Sequence, residues 1–510
     1  MLTSKFNDHG KKLVYGTANV YATPMSSLSE ESKSFRKPVY LSSLVAAFGG
    51  ALCGYDTGCI SSIIAMKIFK VKFFTEYSYT YLEGLLLVSY LMTAALGSLS
   101  SGYFCDRFSR KYSIIGSSMV FCTGLSFQIT GYKFELVCTG RLITGFGAGL
   151  LTNSINLYHS EISPPDIRGR LTSLFTLMTS FGQVVGYFIT FATSYLESDW
   201  CWRGPWLIQL IFGAVFGIFV VTLPFSPRWL LNQGRHKEAL LVLVELNGLP
   251  QSHATIQKEY NAMRTEIDFE RSLGKQSYHE LFAGANLKRT LFAFFISSST
   301  SFTGSVAIWY YAPQIWVNAG MTDVSASIVT TAGSGVLSLV ATALSLHFLV
   351  DSVGRVPLFK LGAALMALSM FIVGVMFARY TLVDVDSGQV SVVNINARKA
   401  IIACIYIFTA SFAFSYGIGS YVYPAEVFSM RCRAKGLSLT FGLNWVFSIL
   451  ITYSVPLFMS FSVSIIYFFF CGCCVVIFIG TWFIPETKGR TLENMTVLFA
   501  PKTHDYLSYC

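Results

Sequence analysis

The chain has 510 residues, of which 53% are hydrophobic and only 13% are charged, and 44 are Phe. Soluble domains carry roughly 25% charged residues, so a water-soluble fold of this composition would leave apolar surface uncovered. The net charge of +10 is spread over the segments between apolar runs, which argues against a nucleic-acid partner. We therefore expect an integral membrane protein whose surroundings are the lipid bilayer.

The first 39 residues are polar and rich in Ser and Lys. They contain no short apolar core followed by a cleavage site, which a secretory signal peptide requires. We therefore predict that residues 1–39 form a cytosolic N-terminal tail.

Twelve apolar runs come next, each long enough for the roughly 20-residue helix that crosses a bilayer. They start near Tyr40, Glu83, Tyr112, Glu135, Leu171, Pro205, Leu287, Ala326, Pro357, Ala400, Leu437 and Val463. This pattern predicts an all-α membrane protein with twelve transmembrane helices in two six-helix bundles, residues 40–225 and 287–485. The polar stretch 226–286 has apolar residues at helical spacing, so we expect a cytosolic linker of short helices. Residues 486–510 would form a cytosolic C-terminal tail.

The orientation can be predicted from the basic residues, which collect on the cytosolic side of membrane proteins. If the N-terminus is cytosolic, the tails and the loops on its side hold most of the 37 Lys and Arg residues. We therefore predict that both termini are cytosolic, and we interpret the surplus positive charge as a topology signal.

Three charged motifs recur in the same order in the two halves. The pairs are Asp106–Lys111 with Asp351–Arg355, Glu161–Arg168 with Glu426–Arg433, and Pro224–Arg228 with Pro485–Arg490. Paired matches in order indicate that the halves are duplicates.

Each repeated motif lies at the cytosolic mouth of a helix and carries charges of both signs. Ion pairs there would bridge neighbouring helices while the cytosolic side is shut and would break when it opens. We predict a cytosolic gate formed by Asp106, Arg107, Arg110, Glu161, Arg168, Arg228, Asp351, Arg355, Glu426 and Arg433. The alternative is ordinary interfacial charge, which contributes little.

Together with Gly54–Gly58, Tyr310–Pro313 and Tyr423–Glu426, these motifs make residues 40 to 495 resemble the sugar porter family of the major facilitator superfamily. The resemblance is strongest to fungal carriers of hexoses, polyols and inositol. It implies a transporter that exposes one central site alternately to each side of a membrane, by default the plasma membrane. It implies neither an enzyme nor a cofactor.

The resemblance is weaker at the positions where hexose-carrying members bind their solute. Those members have amides or Trp at six positions that align here with Thr176, Thr300, Ser301, Val306, Ser338 and Tyr421. Only Asn444 and Trp445 match the pattern of the hexose carriers. We expect common hexoses to bind weakly and another sugar, a polyol or an inositol to be preferred.

The residues themselves also predict a polar pocket, because Thr176, Ser180 and Gln183 share one helix face. The predicted substrate-binding residues are Thr176, Gln183, Thr300, Ser301, Ser338, Tyr421, Asn444 and Trp445. A charged solute would find no counter-ion among them, so we expect a small neutral hydroxylated solute.

Two ionisable residues fall within the outer half of apolar runs, Asp56 in the first and Arg141 in the fourth. Charge inside a membrane is costly and usually functional. Asp56 could carry a proton coupled to solute movement, with Arg141 as its partner. The alternative is a structural ion pair that joins two helices, and the resemblance does not decide between symport and facilitated diffusion.

Other classes of function are disfavoured. The string Gly145–Gly149 resembles a nucleotide-binding loop, but it lies within an apolar run where small residues allow close helix packing. A sugar sensor that binds its ligand without moving it is the main rival, and a uniport facilitator of hexoses is a further alternative. Sensors resemble transporters with a long cytosolic tail, whereas only about 25 residues come after Pro485 here, so we favour a transporter.

Overall fold

A computed structural model describes residues 37–74, 79–164, 167–272, 277–321, 324–350, 352–383 and 390–488. In the first half, its long helices are Lys37–Ala65, Tyr79–Phe108, Arg110–Thr130, Phe134–Ile162, Arg168–Thr193 and Trp200–Val221. In the second half they are Gly284–Phe302 with Ser305–Asn318, Val324–Leu344, Arg355–Tyr380, Ile395–Phe412 with Ile418–Val427, Met430–Phe461 and Val463–Gly480. The predicted tails lie almost entirely outside the described residues.

Twelve helical stretches of the described residues are long and apolar enough to cross a membrane. They are Pro38–Ala65, Leu82–Phe108, Arg110–Thr130, Phe134–Ile162, Gly169–Thr193, Trp200–Val221, Asn286–Asn318, Val329–Leu349, Arg355–Tyr380, Ile395–Val427, Arg431–Met459 and Val463–Gly480. We number these spans one to twelve in chain order. The predicted all-α membrane fold with twelve spanning helices is confirmed.

Some helices begin earlier than the apolar runs predicted. The sixth span begins at Trp200, so Pro205 lies inside its first turns, and the helix of the eleventh span begins at Met430 rather than Leu437. The early turns of these helices carry charged or amphipathic side chains such as Arg203 and Arg433. Hydrophobicity marks the part of a helix in the hydrocarbon, whereas backbone hydrogen bonding continues beyond it.

Three spans are interrupted in ways that the sequence analysis missed. The seventh span breaks at Gly304, whose φ of +93° is left-handed, and Tyr311 departs from helical geometry again just before Pro313. The eighth and tenth spans contain π-helical turns at Ser345–Leu349 and Ala413–Gly417. Such turns leave backbone groups unpaired within the helix, and here the Ser345 hydroxyl donates to the Phe414 carbonyl at 2.9 Å.

Spans one and five approach so closely that only glycine fits between them. A Cβ atom on Gly54 would lie 1.8 Å from the Thr179 carbonyl oxygen, and one on Gly182 would lie 2.0 Å from that of Ala51. Gly149 makes an equivalent close contact between spans four and two, where a Cβ atom would lie 2.0 Å from the Ala94 carbonyl oxygen. The glycine string in span four is therefore a packing surface.

Replacing Gly54 by Val should separate the first and fifth spans, because its added atoms would overlap the backbone of the fifth. We expect little monodisperse protein after detergent extraction. Solute uptake should fall by the same factor as the yield of monodisperse protein. Gly472→Val is the matched control, since a Cβ at Gly472 meets nothing within 4 Å. Equal extraction yields and melting temperatures for the two variants would contradict the close approach.

Short helices connect the sixth and seventh spans: Pro227–Asn232, His236–Asn247 and Ala254–Ser272, with a 3-10 turn at Tyr278–Phe282. They pack around their own small core, in which Leu230, Leu243 and Ile256 are buried. A two-stranded antiparallel sheet, β1 (Thr381–Val383) with β2 (Val390–Val392), lies between the ninth and tenth spans. The cytosolic position of the linker helices remains a prediction.

On the opposite end of the first half, the short helix Lys67–Phe73 is held against the start of the sixth span. Phe69 and Phe73 pack edge-on to Trp202 with ring centroids 5.8 and 5.3 Å away. The Lys72 ammonium donates to the Asp199 carboxylate. This hydrogen bond, with further attraction from Arg203, holds the pKa of Asp199 below its ordinary value.

The stabilisation from Asp199 should therefore be complete above the pKa of the unfolded chain, about 3.9, and lost as the pH falls through the lower folded value. Because the pair is partly exposed, we expect Asp199→Asn to cost only about 0.5 kcal/mol at neutral pH. In melting curves, the deficit of the variant relative to wild type should be largest at pH 7 and smaller at about pH 3, below the unfolded pKa. A deficit of the same size at both would exclude the ionic contribution.

Candidate functional site

A cavity of about 130 Å³ lies between the two halves of the chain. Spans one, two, four and five form its wall on one side, and spans seven, eight, ten and eleven form the wall on the other. A cavity needs at least about 10–15 Å³ to hold a single water, so this one has room for several waters or one small solute. In transporters that are built from two structural repeats, the solute binds at the interface between the repeats, and this cavity lies at the corresponding interface.

Seven of the eight predicted binding residues line this cavity: Thr176, Gln183, Thr300, Ser338, Tyr421, Asn444 and Trp445. Ser301 does not line it. Its hydroxyl lies behind Asn444, 2.9 Å from Oδ1 of that amide and 2.8 Å from the Ser448 hydroxyl. Ser301 therefore positions a lining residue rather than facing the cavity itself.

Asn444 is the centre of a hydrogen-bonded group on spans seven and eleven. The hydroxyls of Thr300 and Ser301 both lie 2.9 Å from its Oδ1 atom. These contacts fix the amide plane, so one edge of the amide is occupied and the other is presented to the cavity. An amide held in this way can recognise a hydroxyl group without losing side-chain freedom on binding.

The fifth span connects the two halves at the same level. The Thr176 hydroxyl donates to the Gly417 carbonyl at 3.4 Å, and the hydroxyls of Ser180 and Thr342 lie 3.5 Å apart. Gln183 donates from Nε2 to the Tyr187 hydroxyl at 3.0 Å. The contacts of Thr176 and Ser180 are long and weak, so they can be exchanged for contacts with a solute, whereas the bond from Gln183 has an ordinary length.

Aromatic side chains form a larger share of the wall than the sequence analysis predicted. Tyr90, Phe175, Trp309, Tyr310 and Phe412 all line the cavity. Trp309 meets Phe412 edge-on with ring centroids 5.2 Å apart, across spans seven and ten. A map of helix faces at 100° per residue would have found several of them, since they lie within a turn or two of predicted hydroxyl residues.

The part of the lining that the structure describes carries no Asp, Glu, Lys, Arg or His side chain. Its polar side-chain groups are hydroxyls, the amides of Gln183 and Asn444, the indole N–H groups of two tryptophans and one thiol. Transfer of an ion into such a site without a counter-ion is unfavourable. The lining therefore suits an uncharged solute that has both hydroxyl groups and apolar faces.

The Asp56 carboxylate and the Arg141 guanidinium meet directly behind this wall. Arg141 Nη1 donates to both carboxylate oxygens, at 2.8 and 2.7 Å, and both side chains are completely buried. Arg141 also lies 4.4 Å from the centre of the Tyr90 ring. Its Nε and Nη2 atoms have no hydrogen-bond partner among the described residues. The pair thus joins spans one and four within one turn of cavity residues Cys53 and Thr57.

Two matched ion-pair clusters lie at the linker-side ends of the halves. In the first half, Arg110 contacts Glu161 at 2.8 Å and Ser226 donates to the same carboxylate at 2.5 Å. In the second half, Arg355 contacts Glu426 at 2.8 Å and Thr487 donates to that carboxylate at 2.6 Å. Both arginines also donate to a carbonyl five residues earlier, Cys105 or Val350. The structure therefore repeats the arrangement that the sequence repeats.

The other predicted gate residues have different positions. Asp106 contacts Arg110 at 3.2 Å, Arg228 contacts Glu266 of the linker at 3.0 Å, and Arg433 donates to the Phe428 carbonyl at 3.3 Å. Arg107 is exposed and makes no hydrogen bond or ion pair to another described residue. The side chain of Arg168 and the whole of Asp351 lie outside the described residues.

Comparisons with known proteins agree with this architecture. The family model described as "Sugar (and other) transporter" matches residues 42–499. The major facilitator-type transporter ecdD of Aspergillus rugulosus is 31% identical over 91% of this chain and 87% of its own. The high-affinity glucose transporter of Kluyveromyces lactis is 29% identical over 90% and 84%. The fold of the proton:xylose symporter XylE of E. coli superposes with a TM-score of 0.78 and 24% identity, covering 92% of this chain and 100% of that one.

Proposed function

Because this chain belongs to the sugar transporter family of the major facilitator superfamily, we propose that it carries a neutral sugar or polyol by alternating access. It is a multi-pass membrane transporter and not an enzyme. The observation that carries the substrate proposal is the cavity between the halves. Its wall combines hydroxyls, two amides and aromatic rings, and the described lining residues include no carboxylate, Lys, Arg or His.

The preferred solute, in this proposal, is a cyclic polyol or a sugar other than a common hexose. Thr176 and Val306 line the cavity at positions where hexose carriers have an amide. Thr176 has only a single hydroxyl and Val306 has no polar group, so neither supplies the separate donor and acceptor atoms of an amide plane. The glucose transporter of Kluyveromyces lactis is a relative, so a hexose facilitator is the competing assignment.

Asn444 should be the polar residue on which binding depends most. We expect Asn444→Ala to raise the half-saturation concentration about tenfold, because the amide contact is lost and two hydroxyls lose a partner. The measurement is concentration-dependent uptake in carrier-null cells, corrected for surface expression. Asn396→Ala, at an exposed position near the start of the tenth span, is the control. Equal half-saturation values for both variants would remove Asn444 from the site.

We further propose that solute movement is coupled to protons through Asp56. A carboxylate that is buried beside the cavity and paired to an arginine can change protonation when the cavity opens to water on one side. Arg141 Nε and Nη2 have no hydrogen-bond partner among the described residues. This supports an ion pair that is not in its most stable arrangement. The partners of the protein in this proposal are the solute, protons and the lipid bilayer.

The two ion-pair clusters are proposed to form the cytosolic gate, with both termini and the linker in the cytosol. The distribution of Lys and Arg supports this orientation. The plasma membrane is the proposed location, on the strength of the family alone. Rocking of one half against the other would open the cavity to each side in turn.

A further inference from the structure

A second, larger hollow lies on the linker side of the molecule, outside the central cavity. It has a volume of about 730 Å³ and is lined by the end of the second span, two linker residues and the start of the eleventh span. The lining residues are Gly102, Tyr103, Asp106, Arg107, Phe108, Gln233, Tyr278 and Lys435. We call this hollow the linker groove. Volumes of this order are typical of small-molecule sites.

The charge of the groove is positive on balance. Arg107 and Lys435 are its cations, and Asp106 is its acid. The Asp106 carboxylate contacts Arg110 at 3.2 Å, whereas Arg107 is exposed and has no ion-pair partner among the described residues. A guanidinium in this state can bind the oxygens of a phosphate bidentately.

Three aromatic rings line the groove together with these cations, and all are exposed on the protein surface. Tyr103 is 63% exposed, Phe108 51% and Tyr278 42%. The Lys435 ammonium lies 5.3 Å from the centre of the Tyr278 ring. A base that stacks on such a ring is stabilised whatever its identity, and Gln233 offers a donor and an acceptor to the edge of a base.

We propose that the linker groove binds a nucleoside polyphosphate, with its phosphates on Arg107 and Lys435 and its base against Tyr278. The cations fit the phosphates, and the exposed rings fit a planar base better than they fit an inorganic anion. A phospholipid headgroup shares the phosphate chemistry but has no base to stack on Tyr278.

A nucleotide in this groove would bridge the two halves. Arg107 belongs to the first half, Lys435 to the second and Tyr278 to the linker, and the halves touch at this level. A Cβ atom on Gly102 would lie 3.2 Å from the Ser438 hydroxyl and 3.5 Å from that of Tyr278. Separation of the halves on the linker side would dismantle the groove, so bound nucleotide holds that side shut and slows transport.

The test is binding of ATP to the purified full-length protein in detergent, measured by titration and by photolabelling with an azido-ATP. We expect saturable binding that weakens at least about tenfold in Arg107→Gln and in Lys435→Gln. Lys258→Gln, an exposed linker position outside the groove, is the matched control and should bind as wild type does. Tripolyphosphate should bind more weakly than ATP, and Tyr278→Leu should remove that difference.

Unchanged binding in the Arg107 and Lys435 variants would overturn the site, and tripolyphosphate binding as tight as ATP would overturn the nucleotide assignment. Binding of vesicles with phosphatidylinositol phosphate that is lost in Arg107→Gln and Lys435→Gln, without saturable binding of ATP, would assign the groove to lipid instead. Because this experiment requires no solute flux, its failure is distinct from a failure of the proposed transport function. In proteoliposomes, ATP on the linker side should slow wild-type counterflow and leave that of Arg107→Gln unchanged.

Discussion

Asp56→Asn should abolish accumulation of solute against its gradient while solute exchange between equal concentrations continues. The carboxylate is the proposed proton carrier, and an amide cannot take up and release a proton in this range of pH. The measurement compares gradient-driven uptake with counterflow in proteoliposomes that have an inward proton gradient. We expect gradient-driven uptake to fall to the level seen without a gradient, a loss of about tenfold or more.

Removing Asp56 alone also leaves the Arg141 charge buried without its partner, which typically costs about 3–5 kcal/mol. The matched control is therefore the double variant Asp56→Asn with Arg141→Gln, in which both charges are absent. If the pair were only structural, the double variant would recover gradient-driven accumulation together with its melting temperature. We expect the melting temperature to recover and accumulation to remain absent.

Glu161→Gln combined with Glu426→Gln should release both ion-pair clusters and shift the protein towards a state open on the linker side. Each glutamate accepts from an arginine and from a hydroxyl, and the carboxylate of Glu161 is 6% exposed. Loss of such a charged hydrogen bond costs about 2 kcal/mol for each cluster. Because the two clusters share no residue, we expect the effects of the single variants to add.

Hydrogen exchange provides the measurement for this prediction. Amides at the linker-side ends of the second and eleventh spans, near Gly102 and Ser438, should exchange faster in the double variant than in wild type. Glu238→Gln is the control, since Glu238 pairs with Arg235 on the exposed linker surface. Unchanged exchange near Gly102 with slower uptake would mean that the glutamates act elsewhere.

The sequence was sufficient for the spans because a bilayer demands long apolar helices, and each run met that demand. The duplicated motifs also indicated which ends of the helices carry matched charges. They did not identify the partners that the structure shows, since Glu161 contacts Arg110 and Glu426 contacts Arg355, each from a different span. Contacts between spans depend on helix rotation, which the spacing within one span does not determine.

The same limit applies inside the cavity. Helical spacing placed Thr176 and Gln183 on one face, and both line the cavity. Ser301 is adjacent to Thr300 in sequence but lies behind the wall, because neighbouring residues on a helix point about 100° apart. The break at Gly304 and the turn at Ala413–Gly417 rotate the helical segments on their C-terminal sides, so a regular helical projection loses register there.

Uptake of labelled glucose and myo-inositol into proteoliposomes, with and without an inward proton gradient, tests the central claim most directly. We expect saturable, gradient-driven accumulation of a neutral hydroxylated solute, with myo-inositol preferred to glucose. Clear preference for glucose would contradict the substrate assignment and favour a hexose carrier, and uptake indifferent to the gradient would contradict proton coupling. Solute binding without any flux would contradict transport itself and indicate a sugar sensor.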